Sequence, residues 1–216
     1  MQKTNELKKL FIIGAGDFGR EMESWLTLLK DFNNQWMVCG YLDDNINALE
    51  GFPSDYKVLG KPLEYSFAES DYVLMCVTNP AAKKYLTENL KKKVNFFTYI
   101  APTAIIGKFA VIGMGSIISS NSIISTNTIV EEFVTINSGS QIGHDCKLGA
   151  YSSLMASVDL GGYVKLGERV FIGTNATIIP RKIISDGITI GAGSIVIRNL
   201  KKEGSYFGNP ASLIQQ

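Results

Sequence analysis

The chain has 216 residues but only one histidine, three scattered cysteines and no long hydrophobic run. One histidine with Cys39, Cys76 and Cys146 spread along the sequence forms no recognisable set of metal ligands, so we predict no metal site. The 21 basic and 20 acidic residues nearly balance, which gives no electrostatic case for binding nucleic acid or an anionic membrane. No apolar stretch reaches the roughly 18 residues of a membrane span. The start, MQKTNELKK, lacks the features of a secretory signal, so we expect a cytoplasmic protein with reduced thiols.

Aliphatic residues recur at a strict six-residue interval through the second half of the chain. Sixteen consecutive positions fit, from Ile106 to Val196. Because about half of the residues in a domain are apolar, chance would give such a run on the order of once in 10⁵ sequences. A fixed short period is typical of a parallel β-helix built on hexapeptide repeats. Three hexads would close one triangular coil, giving roughly five coils or slightly more, stacked about 4.8 Å apart.

Two further positions of the hexad support this fold. The residue four after the aliphatic is mostly small or β-branched, as in Ser140, Cys146 and Ser152, and is expected to point inwards. Cys146 is therefore interpreted as core filler, poorly placed to act as a nucleophile. The residue directly after the aliphatic is often glycine, which predicts tight corners with unusual backbone angles. Eight hexads have it: Gly107, Gly113, Gly143, Gly149, Gly161, Gly167, Gly173 and Gly191.

The first half of the chain alternates apolar strands with helices and predicts a small α/β domain with a parallel sheet. One helix should follow the first strand, with Met22, Trp25, Leu26 and Leu29 on one face. A second should follow the third strand and run to about Lys91. The predicted strands cover residues 10–13, 36–42 and 72–77.

A glycine-rich loop, Gly14-Ala15-Gly16-Asp17-Phe18-Gly19, joins the first predicted strand to the first helix. Glycines let backbone N–H groups approach a phosphate, and a helix N-terminus favours an anion. Asp43, at the end of the second strand, is placed to bond a ribose hydroxyl. The obvious ligand is NAD, but about ninety residues are too few for both halves of a dinucleotide domain. A mononucleotide, such as that of an activated sugar, fits better, and glycines that merely form a tight turn are the alternative.

The only histidine, His144, lies in the hexad Gln141-Ile142-Gly143-His144-Asp145-Cys146, two residues after its aliphatic anchor. An imidazole is the natural general base near neutral pH, and Asp145 is suited to orient it. Neighbours on a strand point to opposite faces, so this pairing requires corner geometry. One coil above His144 lies Gly162, whose bare backbone N–H is a candidate donor to an oxyanion. Asn137 lies near the adjoining corner, where it would contact substrate, fix the ring or only cap a turn.

These motifs together resemble the PglD/NeuD family of sugar acyltransferases. The resemblance rests on the glycine loop, the Leu42-Asp43-Asp44 strand end, the hexads, the Gly143-to-Cys146 motif and the closing Gly208-Asn209-Pro210-Ala211, and it covers nearly the whole chain. It implies a Rossmann-like α/β domain at 1–98, a left-handed parallel β-helix at 99–199 and a tail at 200–216.

The resemblance also implies an activity and a set of site residues. It implies a homotrimer with active sites between subunits, which transfers an acetyl group from acetyl-CoA to the amino group of a UDP- or dTDP-linked amino-deoxy sugar. No metal is needed. His144 would be the base, with Asp145 as its partner. The nucleotide sugar would be held by Gly14, Gly16, Asp17, Phe18, Gly19, Asp43, Asp44, Asn79 and Asn137. CoA would contact Ser153, Gly162, Thr174, Ala192 and Asn209.

Two departures from the family pattern leave the acceptor open. The bacillosamine-pathway member has a histidine in its glycine loop, where this chain has Phe18. It has a second histidine nine residues after the catalytic one, where this chain has Ser153. Sugar O-acetylation of the sialic acid type and a catalytically inactive nucleotide-sugar-binding protein therefore remain alternatives. A γ-type carbonic anhydrase shares the prism but needs three histidines on zinc, which the sequence does not have.

Overall fold

The computed structural model describes residues 7–214, which form two compact units. The first contains residues 7–78 and 85–97, and the second contains residues 79–84 and 98–214. The domain boundaries expected from the sequence stay predictions. The predicted domains include residues 1–6 and 215–216, which lie outside the described residues. None of the helices in the described part of the chain has the length and apolar character needed to cross a membrane.

The first unit is built on a four-stranded parallel sheet in the order β2 (Trp36–Leu42), β1 (Lys8–Ile13), β3 (Tyr72–Met75) and β4 (Asn95–Phe96). The buried side chains of Met22 and Leu26 line one side of α1 as the sequence predicts, but α1 ends at Thr27, so Leu29 lies beyond it. The third strand is also shorter than the predicted range 72–77. The elements up to residue 97 are β1 (Lys8–Ile13), α1 (Asp17–Thr27), α2 (Lys30–Asn33), β2 (Trp36–Leu42), β3 (Tyr72–Met75), α3 (Pro80–Leu90) and β4 (Asn95–Phe96), and the first residues of α3 belong to the second unit.

The second unit is a parallel β-solenoid whose short strands stack into three sheets, here called the first, second and third faces. The first face contains Ile105–Ile106, Ile123–Ile124, Gln141–Ile142, Asp159–Leu160, Thr177–Ile178 and Ile195–Val196. The second contains Val111–Ile112, Ile129–Val130, Lys147–Leu148, Lys165–Leu166 and Ile183–Ile184. The third contains Tyr99–Ile100, Ile117–Ile118, Thr135–Ile136, Ser153–Leu154, Phe171–Ile172, Thr189–Ile190, Ser205–Phe207 and Ser212–Leu213.

The register between coils is the 18-residue repeat that the hexads predict. Gln141 pairs with Asp159 and Ile142 with Leu160, and the same offset holds along all three faces. The solenoid has about six turns, more than the count from the hexads alone, because Tyr99–Ile100 and Ser205–Phe207 extend the third face at its two ends. The last strand, Ser212–Leu213, pairs antiparallel with Ser205–Phe207.

The glycines that follow the aliphatic residues are required for close approach, so the sequence-based reason for them was wrong. All eight lie outside the left-handed region of backbone conformation. A Cβ on Gly143 would lie 2.6 Å from the Gly162 nitrogen, and one on Gly149 would lie 2.3 Å from the Gly167 carbonyl carbon. The next coil leaves no room for a side chain at these positions.

Left-handed backbone conformations occur two residues further along, mostly at residues other than glycine. Asn and Asp tolerate this conformation best, while aromatic and long side chains are unusual in it. Equivalent side chains one coil apart contact each other at several of these corners, as Phe133 does with Tyr151 and Arg181 does with Tyr163. Eleven such residues are Phe109, Asn121, Asn127, Phe133, Asp145, Tyr151, Ser157, Tyr163, Arg169, Asn175 and Arg181.

The interior of the solenoid is filled by the aliphatic column and by small polar side chains. Ile142, Leu148 and Leu160 are at most 1% exposed, as the hexad pattern predicts. Inward hydroxyl groups along the coils donate to a backbone carbonyl fifteen residues ahead, as Ser140 does to Met155 and Ser152 does to Gly167. Burying a hydroxyl costs less when it is hydrogen-bonded, and the coil supplies the acceptors for these side chains.

Candidate active site

His144 and Asp145 form the turn between a first-face strand and a second-face strand, here called the histidine corner. Asp145 has a left-handed φ of +58°, which turns its side chain to the same side as that of His144. The Asp145 Oδ2 atom lies 2.6 Å from His144 Nδ1. The corner geometry therefore brings together two neighbours that a regular strand would separate.

The imidazole lies directly over Gly162, one coil above. A Cβ on Gly162 would lie 2.7 Å from His144 Nε2, so only glycine leaves room for the ring in this position. A backbone hydrogen bond joins the two coils here, since the Tyr163 N–H donates to the His144 carbonyl at 2.9 Å. Within the described chain, the Gly162 N–H donates no hydrogen bond to a backbone or side-chain acceptor. It is thus free for a ligand oxygen beside the imidazole.

Each oxygen of the Asp145 carboxylate has a polar contact. The His144 ring contacts Oδ2, and the Asn127 side-chain amide, one coil below, donates to Oδ1 at 3.1 Å. The hydrogen bond from His144, followed by that from Asn127, holds the pKa of the Asp145 carboxyl below its ordinary value. A carboxylate on Nδ1 favours the tautomer with the proton on Nδ1, which leaves Nε2 as the basic nitrogen.

Two side chains extend the corner upwards from this pair. The Tyr163 ring meets the imidazole edge-on, with centroids 5.1 Å apart and an interplanar angle of 86°. The Arg181 guanidinium lies over the Tyr163 ring at 4.4 Å. These aromatic and cation–π contacts limit rotation of the imidazole from above.

Cys146 has the environment of an inward core residue, in line with its interpretation from the hexad. Its side chain is 2% exposed, and its thiol lies 3.3 Å from the Gly161 carbonyl oxygen, the same fifteen-residue contact that Ser140 and Ser152 make. Burial raises the pKa of the Cys146 thiol. A protonated thiol that faces the core is a poor nucleophile.

Asn137, Thr174 and Ala192 lie on turns between third-face and first-face strands, here called the distal corner. Thr174 and Ala192 are exposed, as contact with CoA would require. The Asn137 side-chain oxygen accepts from the Ser138 N–H at 2.7 Å, so the side chain caps its own turn. The whole width of the first face separates the distal corner from His144 in the same chain. Asn209, which follows Ser205–Phe207, is exposed.

Ser153 is not available for a direct contact with CoA in this chain. It is fully buried, and its hydroxyl accepts from the Lys83 ammonium at 2.8 Å. Lys83 itself is 1% exposed and also contacts Thr135 Oγ1 at 2.9 Å and the carbonyls of Phe133 and Ser152. The outer side of the third face is therefore covered at Ser153 by Lys83, which belongs to the same unit as the solenoid.

The three glycines of the loop in the first unit differ in the geometry that each one makes possible. Gly14 has a positive φ of +96°, and a Cβ on Gly19 would clash with the Gly14 carbonyl oxygen at 1.9 Å. Around Gly16 the space is open, so a ligand can approach its backbone. One amide is already used, since the Ala15 N–H donates to Asp43 Oδ2 at 2.8 Å. The same carboxylate accepts from the Asn45 N–H, so Asp43 shapes the loop.

The other predicted residues near this loop differ in accessibility. Phe18 is only 8% exposed and belongs to the core of the unit, so its predicted contact with substrate is not supported. The Asp17 carboxylate is almost fully exposed and pairs with Arg20 at 2.5 Å. Asp44 is exposed and free to face a ligand. Asn79 Oδ1 accepts from the Ala82 N–H at 3.0 Å and so caps the start of α3.

Three residues of the site were missed from the sequence: Asn127, Tyr163 and Lys83. The first two lie 18 residues before and after Asp145, so the coil repeat that located Gly162 could also have located them. Lys83 has no comparable signal, because its contacts depend on how α3 packs. Among residues 7–214, no group of three or more His, Cys, Asp or Glu side chains is arranged to hold a metal ion.

Comparisons with known proteins match both units. A family model described as the PglD N-terminal domain matches residues 9–90, and one described as the hexapeptide repeat of succinyl-transferase matches residues 163–199. A curated relative, the UDP-3-O-acylglucosamine N-acyltransferase of Herminiimonas arsenicoxydans, is 31% identical over 68 residues. These are 32% of this chain, and they span only 19% of the length of that relative.

Solved structures match over nearly the whole chain. The acetyltransferase domain of PglB from Neisseria gonorrhoeae is 25% identical, with a TM-score of 0.86 over 96% of this chain and 100% of that one. The same domain has been solved with acetyl coenzyme A. PerB from Caulobacter crescentus, solved with CoA and GDP-perosamine, is 24% identical with a TM-score of 0.80 over 97% of this chain and 99% of that one. The family models and the solved structures thus match both units to PglD/NeuD-like sugar acetyltransferases, and the chain has their fold, an α/β N-terminal unit followed by a left-handed parallel β-helix.

Proposed function

We propose that this protein is a cytoplasmic acetyl-CoA-dependent N-acetyltransferase that acts on the amino group of a nucleotide-linked amino-deoxy sugar. The observation that carries the proposal is the arrangement at the histidine corner. His144 is paired with Asp145 through Nδ1, and its Nε2 lies beside the free N–H of Gly162. A base and an unused backbone donor therefore lie side by side, an arrangement suited to acyl transfer.

The transfer is direct and needs no enzyme-bound acyl group. The neutral sugar amine attacks the thioester carbon while His144 Nε2 accepts a proton from the amine. The Gly162 N–H donates to the oxygen that becomes negative in the tetrahedral intermediate. The carbon–sulfur bond then breaks, and the imidazolium returns the proton to the departing CoA thiolate. Asp145 stabilises the imidazolium through Nδ1 during the reaction.

The two corners of the solenoid support a site that is shared between subunits. His144 lies at one corner, while Thr174 and Ala192, the candidates for CoA contacts, lie exposed at the distal corner of the same chain. One CoA molecule bound at the distal corner would have to reach His144 across the first face. In a cyclic homotrimer, the histidine corner of one chain would pack against the distal corner of the next. CoA bound at that distal corner would then lie beside His144 of the neighbouring chain.

The glycine loop of the first unit is the candidate site for the nucleotide. The open space at Gly16 admits a ligand to the N-terminus of α1, and the exposed Asp44 is suited to accept from a base or ribose. Asp43 is occupied by the Ala15 N–H, so a direct bond from Asp43 to a ribose is less favoured than the sequence suggests. We therefore assign Gly16 and Asp44 to the ligand and Asp43 to shaping the loop.

The experiment is thiol release from acetyl-CoA with a panel of acceptors, alongside the His144→Ala variant. The panel contains UDP- and dTDP-linked 4-amino-4,6-dideoxy sugars and free sialic acid. It also includes GDP-perosamine, since PerB has been solved with that compound. We expect turnover with one amino sugar and a loss of at least about a hundredfold in the variant. Turnover only with sialic acid would replace this proposal by O-acetylation, and no turnover with any acceptor would contradict catalysis.

A further inference from the structure

The carboxylate of Asp145 contacts the base at Nδ1, and its other oxygen is held from the coil below. Of its two oxygens, Oδ2 contacts His144 Nδ1 at 2.6 Å and Oδ1 accepts from Asn127 Nδ2 at 3.1 Å. With both oxygens engaged in different directions, the carboxylate cannot rotate about its Cβ–Cγ bond without losing a hydrogen bond.

Asn127 is itself fixed by the solenoid. Its N–H donates to the Lys108 carbonyl at 3.2 Å, and the Asp145 N–H donates to the Thr126 carbonyl at 3.1 Å. Both Asn127 and Asp145 have left-handed φ values, of +57° and +58°, so their side chains leave the corner in the same direction. The amide of one coil is thereby aligned under the carboxylate of the next.

Asn127 is also suited to this position by residue type. Asparagine tolerates the left-handed conformation and brings an amide donor without adding a charge. The same column contains Phe109 one coil below, and Tyr163 and Arg181 above. In this column the short Asn127 side chain joins an amide donor directly to the Asp145 carboxylate one coil above.

We propose that Asn127 is a positioning residue: it holds the Asp145 carboxylate on His144 Nδ1 and so keeps the imidazole in the tautomer whose Nε2 is the base. The catalytic part of this inference rests on the proposed function, but the tautomer does not. The lowered pKa of the Asp145 carboxyl, to which the Asn127 hydrogen bond contributes, agrees with it.

The first test uses the free protein and no substrate. Because His144 is the only histidine, its ring ¹⁵N signals report the tautomer without ambiguity. Spectra are taken at a pH where imidazole is neutral, for wild type, Asn127→Ala and Asp145→Ala. We expect the Nδ1–H form in wild type, a shift to Nε2–H in Asp145→Ala, and an intermediate mixture in Asn127→Ala. A wild-type spectrum for Asn127→Ala would overturn the proposal.

Two further variants separate the amide from the backbone. Asn121→Ala removes an asparagine with the same left-handed conformation, φ +59°, at the distal corner. It should lower the melting temperature as much as Asn127→Ala does, but it should leave the His144 tautomer unchanged. Asn127→Gly accepts φ +57° without strain and removes only the amide, so it should reproduce the mixture seen for Asn127→Ala. A wild-type tautomer in Asn127→Gly would mean that the backbone, and not the amide, is responsible.

The second test is a double-mutant cycle on turnover. We expect Asn127→Ala to lower kcat about tenfold with the KM for acetyl-CoA unchanged, since one charge-assisted hydrogen bond is lost. In the Asp145→Ala background the same substitution should cause no further loss, because Asn127 acts through Asp145. Losses that multiply would contradict the proposal. If no acceptor is turned over at all, the proposed function fails while the tautomer test still decides the role of Asn127.

Discussion

At the scale of single residues, the site depends on contacts between neighbouring coils more than on neighbours in sequence. His144, Asp145, Gly162 and Asn127 come from three successive turns, and each has one defined contact with the next. A side chain on this corner is therefore positioned from above and below, and its removal should change the function of the site before it changes the fold.

The lowered pKa of Asp145 gives a pH-dependent difference in stability. A carboxyl whose pKa is depressed on folding stabilises the native state above its unfolded pKa, and this contribution is lost as the pH falls through the folded value. We expect the melting temperature of wild type to exceed that of Asp145→Asn at neutral pH. The difference should persist down to about pH 4, the ordinary range of an aspartate, and close below it. Thermal melts of both proteins between neutral and strongly acidic pH measure this, and a difference that grows towards low pH would contradict it.

Gly162 and Gly143 should respond differently to the same substitution. In Gly162→Ala the new Cβ meets the tip of the His144 side chain, which can move away, so the fold should tolerate it while kcat falls at least about tenfold. In Gly143→Ala the new Cβ meets backbone of the next coil at 2.6 Å, so the melting temperature should fall. Thermal melts and acetyl-CoA turnover on both variants distinguish the two, and full activity in Gly162→Ala would contradict the placement of the base.

At the scale of elements, Lys83 ties the first turns of α3 to the third face. Its ammonium contacts two hydroxyls and two carbonyls while almost fully buried. We expect Lys83→Met to lower the free energy of unfolding by about 2 to 3 kcal/mol, because several buried acceptors lose a charged donor. Urea titration measures this.

The neighbouring Lys84 is the matched control for Lys83. It pairs with Glu168 at 3.2 Å, but both side chains are partly exposed, at 28% and 45%. An ion pair in contact with water contributes little, so Lys84→Met should cost less than about 1 kcal/mol. Equal losses in the free energy of unfolding for the two substitutions would mean that the buried contacts of Lys83 contribute no more to stability than the exposed ion pair of Lys84.

The elements also show where the sequence was sufficient and where it was not. The hexad period predicts the three faces, the 18-residue register and the place of Gly162, because a repeat fixes every coil once one is known. It could not give the reason for the glycines, since the clash with the next coil is a distance between backbones. Nor could it predict the burial of Ser153 and Phe18, which depends on how α3 and α1 pack.

At the scale of the whole molecule, the separation of the two corners predicts a shared active site. We expect light scattering to give a particle of three times the 23.6 kDa chain mass. A direct test combines two inactive variants: His144→Ala, which lacks the base, and Ala192→Arg, whose bulky side chain would block CoA at the distal corner. If each site takes its base from one chain and its CoA contacts from the next, mixed trimers regain activity.

The amount regained is also predicted. With equal amounts of both chains assembled at random, about a quarter of the interfaces in a cyclic trimer pair an intact histidine corner with an intact distal corner. Co-expressed and co-purified variants should therefore show about a quarter of wild-type turnover per site, while each variant alone stays inactive. Activity that stays at the level of the single variants would mean that the base and the CoA contacts come from the same chain, and the trimeric site would have to be abandoned.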